Sequence, residues 1–162
     1  MIIGQYKQFS GFSLIELITV IVLLGVLSVF ALGRLSSPSQ FAVKGFFDDT
    51  VNAVRFAQKL AVSTGCDVQV EMSTAGYQLR RSSACTANNF NALVDNPANR
   101  SKPYENLTTG FIVSPANFIV FNARGVLDSG DNVTYTVSDG TTGSSNSFGF
   151  TVFGQTGLVN VN

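Results

Sequence analysis

Hydrophobic positions divide the chain into one continuous apolar run and a following region of shorter, periodic segments. The run FSLIELITVIVLLGVLSVFAL, at 12–32, contains a single charged residue, Glu16. As a helix it would extend ~30 Å, the thickness of the hydrocarbon core of a bilayer. We therefore predict a transmembrane helix over 12–33, preceded by a short segment at 1–11.

The next segment, 34–64, shows the 3.6-residue period of an amphipathic helix. Apolar residues share one side of it: Phe47, Val51, Val54, Ala57 and Ala61, flanked by Phe46, Ala53 and Leu60. Polar residues occupy the other side: Asp48, Asp49, Asn52, Arg55 and Lys59. We predict a helix from Gln40 to about Thr64, ended by Gly65, that packs its apolar stripe on a β-sheet.

Beyond Gly65 the hydrophobic period shortens to two, which indicates β-strands. Alternation at 66–72 and 77–81 around a turn predicts a hairpin. Residues 82–110 are rich in Asn, Ser, Thr, Ala and Pro, and we interpret them as a long surface loop, either a specificity element or a variable solvated insertion. Further strands are predicted at 110–113, 117–121, 132–137, 148–153 and 158–161. The fold class is α+β, a long helix packed on an antiparallel β-sheet head at 65–162.

The composition does not favour an enzyme. The chain has no His, the commonest general base and metal ligand, and no Trp. No nucleophile–base–orienter set, metal-ligand cluster or phosphate-binding glycine loop can be assembled from the sequence. We predict no catalytic, cofactor-binding or metal-binding residues, and therefore a non-enzymatic protein.

Charge argues against nucleic-acid binding. Lys and Arg together number 10, as do Asp and Glu, so the formal net charge is zero. No basic residue follows Arg124, whereas Asp128, Asp131 and Asp139 do. The candidate basic patch is interpreted as solvated surface and comprises Arg80, Arg81, Arg100 and Lys102. A nucleic-acid partner would need a larger basic footprint, so we expect none.

Two cysteines, Cys66 and Cys85, lie on the same side of the apolar run. If that side is exported to an oxidising compartment, a disulfide is expected, because the two residues flank the open ends of the predicted hairpin. Two free thiols in a cytosolic domain are the alternative, and they would require the opposite membrane topology.

The sequence around the start of the apolar run carries a specific motif. Gly11-Phe12-Ser13-Leu14-Ile15-Glu16, followed by a long apolar helix, resembles the processing site of type IV prepilins. A secretory signal peptide is the alternative, but the run is longer than a usual signal core and no small-x-small cleavage site follows it. A lone acid inside an apolar run is costly, about 3 kcal/mol, so Glu16 indicates a functional site.

The resemblance implies a pathway of maturation and assembly. Prepilin peptidase would cleave after Gly11, removing 1–11 as a leader, and methylate the new amine of Phe12. Glu16 would then pair with the N-terminal amine of a neighbouring subunit. Partners implied are other major and minor pilins, the peptidase, the inner-membrane assembly platform and, before assembly, the lipid bilayer. The protein would cross the bacterial inner membrane once, with a periplasmic head, before entering a surface pilus or periplasmic pseudopilus.

The C-terminal part is similar to GspH/FimT-type minor pilins. The shared pattern is Phe118-Ile119-Val120-Phe121-Asn122-Ala123-Arg124-Gly125, then a strand, then Thr151-Val152-Phe153-Gly154-Gln155-Thr156-Gly157. The three glycines suit turns with positive φ. Segments 47–51 and 66–70 most resemble a minor pilin of mannose-sensitive haemagglutinin pili. This implies a role in the assembly, initiation or tip of an adhesive pilus; a type II secretion pseudopilin and a DNA-binding pilin are the alternatives.

Overall fold

The structure, a computed structural model, describes residues 12–32, 38–85, 89–140 and 146–162. The helices are α1 Leu14–Leu32 and α2 Pro38–Thr64. The strands are β1 Val68–Ser73, β2 Gly76–Arg81, β3 Ala92–Leu93, β4 Asp95–Asn96, β5 Asn99–Pro103, β6 Glu105–Leu107, β7 Ile112–Ser114, β8 Phe118–Phe121, β9 Val133–Ser138, β10 Ser147–Val152 and β11 Val159–Val161. Two compact units result, 1–37 and 38–162.

Helix α1 is the only regular element described in the first unit. Its described side chains, from Phe12 to Leu27, are all exposed. Within the residues described, no helix combines the length and the hydropathy needed to cross a membrane.

The second unit is the head, in which α2 is covered by two antiparallel sheets. The first sheet has the strand order β3-β2-β1-β8. Strand β6 also belongs to it, because β3 and β6 both pair with β2. The second sheet has the order β11-β10-β9-β7, and β4 and β5 form a separate pair. This confirms the predicted α+β class of a helix packed on antiparallel sheets.

Helix α2 divides its aromatic side chains between the two sheets. Phe46 faces Tyr77 of the first sheet, with ring centroids 6.4 Å apart, and Phe47 faces Phe148 and Phe150 of the second, at 5.5 and 6.0 Å. The predicted apolar stripe is confirmed, because its five members are all buried. Proline suits the first helical position, where its missing N–H is not needed, and Pro38 starts the helix. Gly65 ends it with φ +68°.

The prediction of a long surface loop at 82–110 is wrong for 92–107, which form β3 to β6. Val94 is buried there, and the ring of Tyr104 lies 5.1 Å from that of Phe56 on α2. These strands have two to five residues each, and β4, β5 and β6 read DN, NRSKP and ENL, so no alternation of apolar residues marks them in the sequence. Through β3 and β6, which both pair with β2, the segment widens the first sheet. The remaining predicted strands are confirmed within two residues at either end.

Candidate functional site

The N-terminal motif is placed on the first turn of α1. Gly11 lies outside the described residues, Phe12 is 82% exposed, and Glu16 is an exposed acid in the first turn. Ser13 begins the helix, since its carbonyl oxygen accepts from the backbone N–H of Glu16 at 3.0 Å and of Leu17 at 3.1 Å. A carboxylate near a helix N-terminus is favoured by the helix dipole. The turn thus presents one negative charge, four residues after Phe12.

The glycine-rich C-terminal pattern converges on one polar side chain of α2. The Gln58 amide Nε2 donates to the carbonyl oxygen of Gly125 at 2.9 Å and to that of Thr156 at 3.2 Å. One side chain thereby joins two turns that lie far apart in sequence. Because both partners are backbone atoms, this junction fixes the geometry of the two turns.

Glycine is required at this junction for two different physical reasons. Gly125 and Gly157 have φ of +77° and +67°, as predicted. The same prediction is wrong for Gly154, which is not among the residues of positive φ. There a Cβ would lie 2.3 Å from the carbonyl carbon and oxygen of Gly130. Gly154 is therefore required by close approach of two backbones rather than by its own dihedral angles.

A second polar cluster links α2 to the first sheet. The Tyr77 hydroxyl and the Asn106 amide both donate to Asp49 Oδ2, at 2.7 and 2.8 Å. Burial raises the pKa of Tyr77, and the bond to Asp49 and its charge raise it further. Burial and the charge of Asp49 also raise the pKa of Tyr104. The tyrosines therefore stay neutral, and Asp49, predicted on the polar face of the helix, instead fastens β6 to it.

Cys66 and Cys85 are brought together as predicted. A disulfide joins them, with Cα atoms 4.8 Å apart, at the open end of the hairpin formed by β1 and β2. Cys85 has a φ of +56°, a value that residues other than glycine seldom adopt. The crosslink thus holds the chain where it leaves β2 to form the added strands.

The predicted basic patch is partly neutralised. Arg80 Nε donates to Glu71 Oε2 at 3.1 Å across β1 and β2, whereas Arg81, Arg100 and Lys102 are exposed. In the described part of the chain, no three metal-ligating side chains of His, Cys, Asp or Glu cluster together.

The sequence did not identify Gln58, Asp49 and Asn106 as site residues. The weak signal that could have suggested an anchoring role is the position of Gln58, a polar residue at the edge of the apolar stripe, directly after Ala57. Its partners lie 67 and 98 residues away in sequence, so only the fold reveals them.

Two family profiles match the chain. The prokaryotic N-terminal methylation motif matches residues 6–32, and the family described as type II transport protein GspH matches residues 48–156. No curated protein sequence is significantly similar to this chain.

Solved structures of minor pilins and pseudopilins share the fold. The type IV minor pilin FimU of Pseudomonas aeruginosa is 11% identical with a TM-score of 0.52, over 74% of this chain and 91% of that one. The minor pseudopilin EpsH from the type 2 secretion system of Vibrio cholerae is 10% identical with a TM-score of 0.54, over 76% and 95%. At such identity the likeness shows the fold alone, which is type IV pilin-like.

Proposed function

We propose that this chain, which belongs to the GspH family, is a minor subunit of an adhesive type IV pilus. Family membership makes it a minor pilin or pseudopilin of a type IV pilus or a type II secretion system. Proteins of this family are structural subunits that assemble with other pilins or pseudopilins. The methylation motif and the family together imply a membrane-anchored pilin with a periplasmic head.

The narrower assignment is to a pilus of the mannose-sensitive haemagglutinin kind. Segments 47–51 and 66–70 resemble the minor pilin MshC of that pilus. The first segment lies on α2 and the second enters β1, and both contribute buried residues to the head. On this proposal the chain acts in assembly, initiation or tip formation of the filament.

The observation that carries the proposed assembly role is the position of Glu16. It is the one charged residue in 12–27, where every side chain is exposed and nearly all are apolar. When such a helix enters an apolar environment, its carboxylate needs a cation, and the amine created by cleavage before Phe12 has the required charge. Prepilin peptidase would cut after Gly11 and methylate that amine. The inner-membrane assembly platform would then add the subunit to the filament.

The experiment is deletion of the gene and complementation with wild type, Glu16→Ala or Thr19→Ala, with surface filaments counted by electron microscopy. Thr19 is the matched control, a polar residue on the next turn of α1. We expect filaments to be lost on deletion, restored by wild type and Thr19→Ala, and reduced about ten-fold or more for Glu16→Ala, because an unpaired ammonium would be left in apolar surroundings. Full rescue by Glu16→Ala would refute the role of the carboxylate.

A secretion pseudopilin is the second candidate, favoured by the description of the matching family, type II transport protein GspH. The same strains distinguish the two. Normal filaments with a loss of secreted enzymes from the culture supernatant would assign the chain to the secretion system. Lost filaments with normal secretion would support the pilus.

A further inference from the structure

The outer surface of the first sheet carries an apolar strip along β8. Ile119 and Phe121 of this strand are buried, whereas Phe118 is 61% exposed and Val120 is half-buried. In register, Phe118 lies opposite Glu71 of β1, and Val120 lies opposite Gln69. Since side chains alternate between the two faces of a strand, Phe118 and Val120 lie on the face turned away from α2.

Three separate segments form a cleft around this strip. It has a volume of about 290 Å³ and is lined by Gln69, Phe90, Phe118, Val120 and Asp128. The backbone N–H of Asp128 donates to the carbonyl oxygen of Val120 at 2.9 Å, which holds this carboxylate beside the strand. Ligand pockets have volumes of about 300–1,000 Å³, so this cleft is at the small end of that range and has room for one long side chain.

The same face already contains one carboxylate with a basic partner. Glu71 Oε2 accepts from Gln78 Nε2 at 2.6 Å and from Arg80 Nε at 3.1 Å. Among the residues that the structure describes, no ion pair engages the carboxylate of Asp128. Asp128 therefore offers a second anionic position on this face, next to two aromatic rings.

We propose that this cleft binds an arginine side chain presented by a neighbouring polypeptide. The guanidinium pairs with Asp128 as Arg80 pairs with Glu71, while its planar group and aliphatic stem lie against Phe118 and Phe90. The Gln69 amide supplies a further hydrogen-bond acceptor. Arginine fits better than lysine because a planar cation both stacks on a ring and meets a carboxylate with two N–H groups. The inference does not depend on which filament the chain enters.

The test uses the full chain, ¹⁵N-labelled in detergent micelles, titrated with N-acetyl-arginine methylamide and followed by amide chemical shifts. N-acetyl-citrulline methylamide is the matched probe, because it has the same shape without the charge. We expect saturable shifts at Gln69, Val120 and Asp128 at millimolar arginine probe, and about ten-fold weaker binding of the citrulline probe.

Two variants and two controls locate the site. Asp128→Asn and Phe118→Leu should each weaken binding about three-fold, by removing the charge and the ring face respectively. Asp95→Asn and Leu158→Ala, exposed residues elsewhere on the head, should leave binding unchanged. Absence of saturable shifts, equal binding of the citrulline probe, or equal effects of Asp95→Asn and Asp128→Asn would each overturn the proposal.

Discussion

Helices α1 and α2 are both rich in apolar residues, yet they present opposite surfaces. Every described side chain of α1 is exposed, and Glu16 is its one charge among them. Helix α2 instead buries one stripe, including Phe47, against two sheets and turns charged residues such as Lys59 to solvent. The apolar surface of α2 is covered within the chain. Exposed apolar stretches of that size are unfavourable in water, and on the proposed function a bilayer or other subunits would cover that of α1.

Truncation of a core aromatic should have the largest effect. Phe47→Ala removes a fully buried ring that contacts Phe148 and Phe150, and should lower the free energy of unfolding by about 3–5 kcal/mol. Leu23→Ala in α1, where the side chain is 61% exposed, should change it by about 0.5 kcal/mol or less. Urea unfolding of the full chain in detergent, followed by tyrosine near-ultraviolet circular dichroism, measures both. Similar losses would contradict the contrast between the helices.

Removal of the disulfide should rank second. Cys66 and Cys85 are 19 residues apart, so the Cys66→Ser/Cys85→Ser double variant should lose about 3 kcal/mol through a less constrained unfolded chain. Reductant supplies the control: it should destabilise the wild type by a similar amount and leave the double variant unchanged. A wild type that is insensitive to reductant, although its thiols are shown to be free, would contradict this prediction.

The elements that the sequence predicted most clearly are long enough to show several repeats of their hydrophobic pattern. Helix α2 has 27 residues, and the two hairpin strands β1 and β2 have six each, so both show their patterns clearly. Strands β3 to β6 are short, β4 to β6 are mostly polar, and β4 and β5 pair with each other. The place of β3 and β6 is set by pairing with β2, and Tyr104 and Asn106 contact α2. Those are long-range contacts, which local periodicity does not encode.

The candidate site divides in the same way. The disulfide between Cys66 and Cys85 could be predicted from compartment chemistry and the hairpin, whereas the roles of Phe12 and Glu16 follow from a local motif and stay predictions. Gln58 could not, since its role depends on two turns that meet only in the folded head. Gly154 was identified, but for the wrong reason, because close approach to Gly130 is a property of the packed chain and not of the turn itself.

Glycine-to-alanine substitutions in the head and in α1 should have smaller effects on stability, of opposite sign. At Gly157 a Cβ would lie 1.9 Å from the carbonyl oxygen of Gly125, and φ is +67°. Gly157→Ala should therefore lose about 2 kcal/mol or more. In α1, an added Cβ at Gly25 would meet nothing within 4 Å apart from its chain neighbours and its own helix backbone, and Gly25→Ala should gain up to about 1 kcal/mol of helix stability. Thermal unfolding of the head measures the effect of Gly157→Ala, and the far-ultraviolet circular dichroism signal of the helix measures the effect of Gly25→Ala. Equal tolerance at both positions would contradict the junction around Gln58.

Alkaline pH should lower the free energy of unfolding of the head but not affect α1, and the effect per residue is the smallest of those predicted. Burial raises the pKa of Tyr135, and Tyr77 is raised by burial and by Asp49. Above pH 10.0, the ordinary value, the unfolded chain loses these protons while the folded head keeps them, so stability is fully present below that pH and falls as pH rises.

Each such tyrosine should contribute a slope of about −1.4 kcal/mol per pH unit above its unfolded pKa. Tyr135→Phe should therefore flatten the decline by that amount, while costing about 1 kcal/mol at neutral pH through loss of the hydroxyl that donates to Asn117 Oδ1 at 2.6 Å. Free energies of unfolding measured by urea from pH 8 to 11 give the slope. Helix α1 contains no tyrosine, so its helical signal should not follow the decline. An unchanged slope in Tyr135→Phe would mean that the hydroxyl is hydrated in the folded head, and that the second sheet is less closed than the burial of Tyr135 indicates.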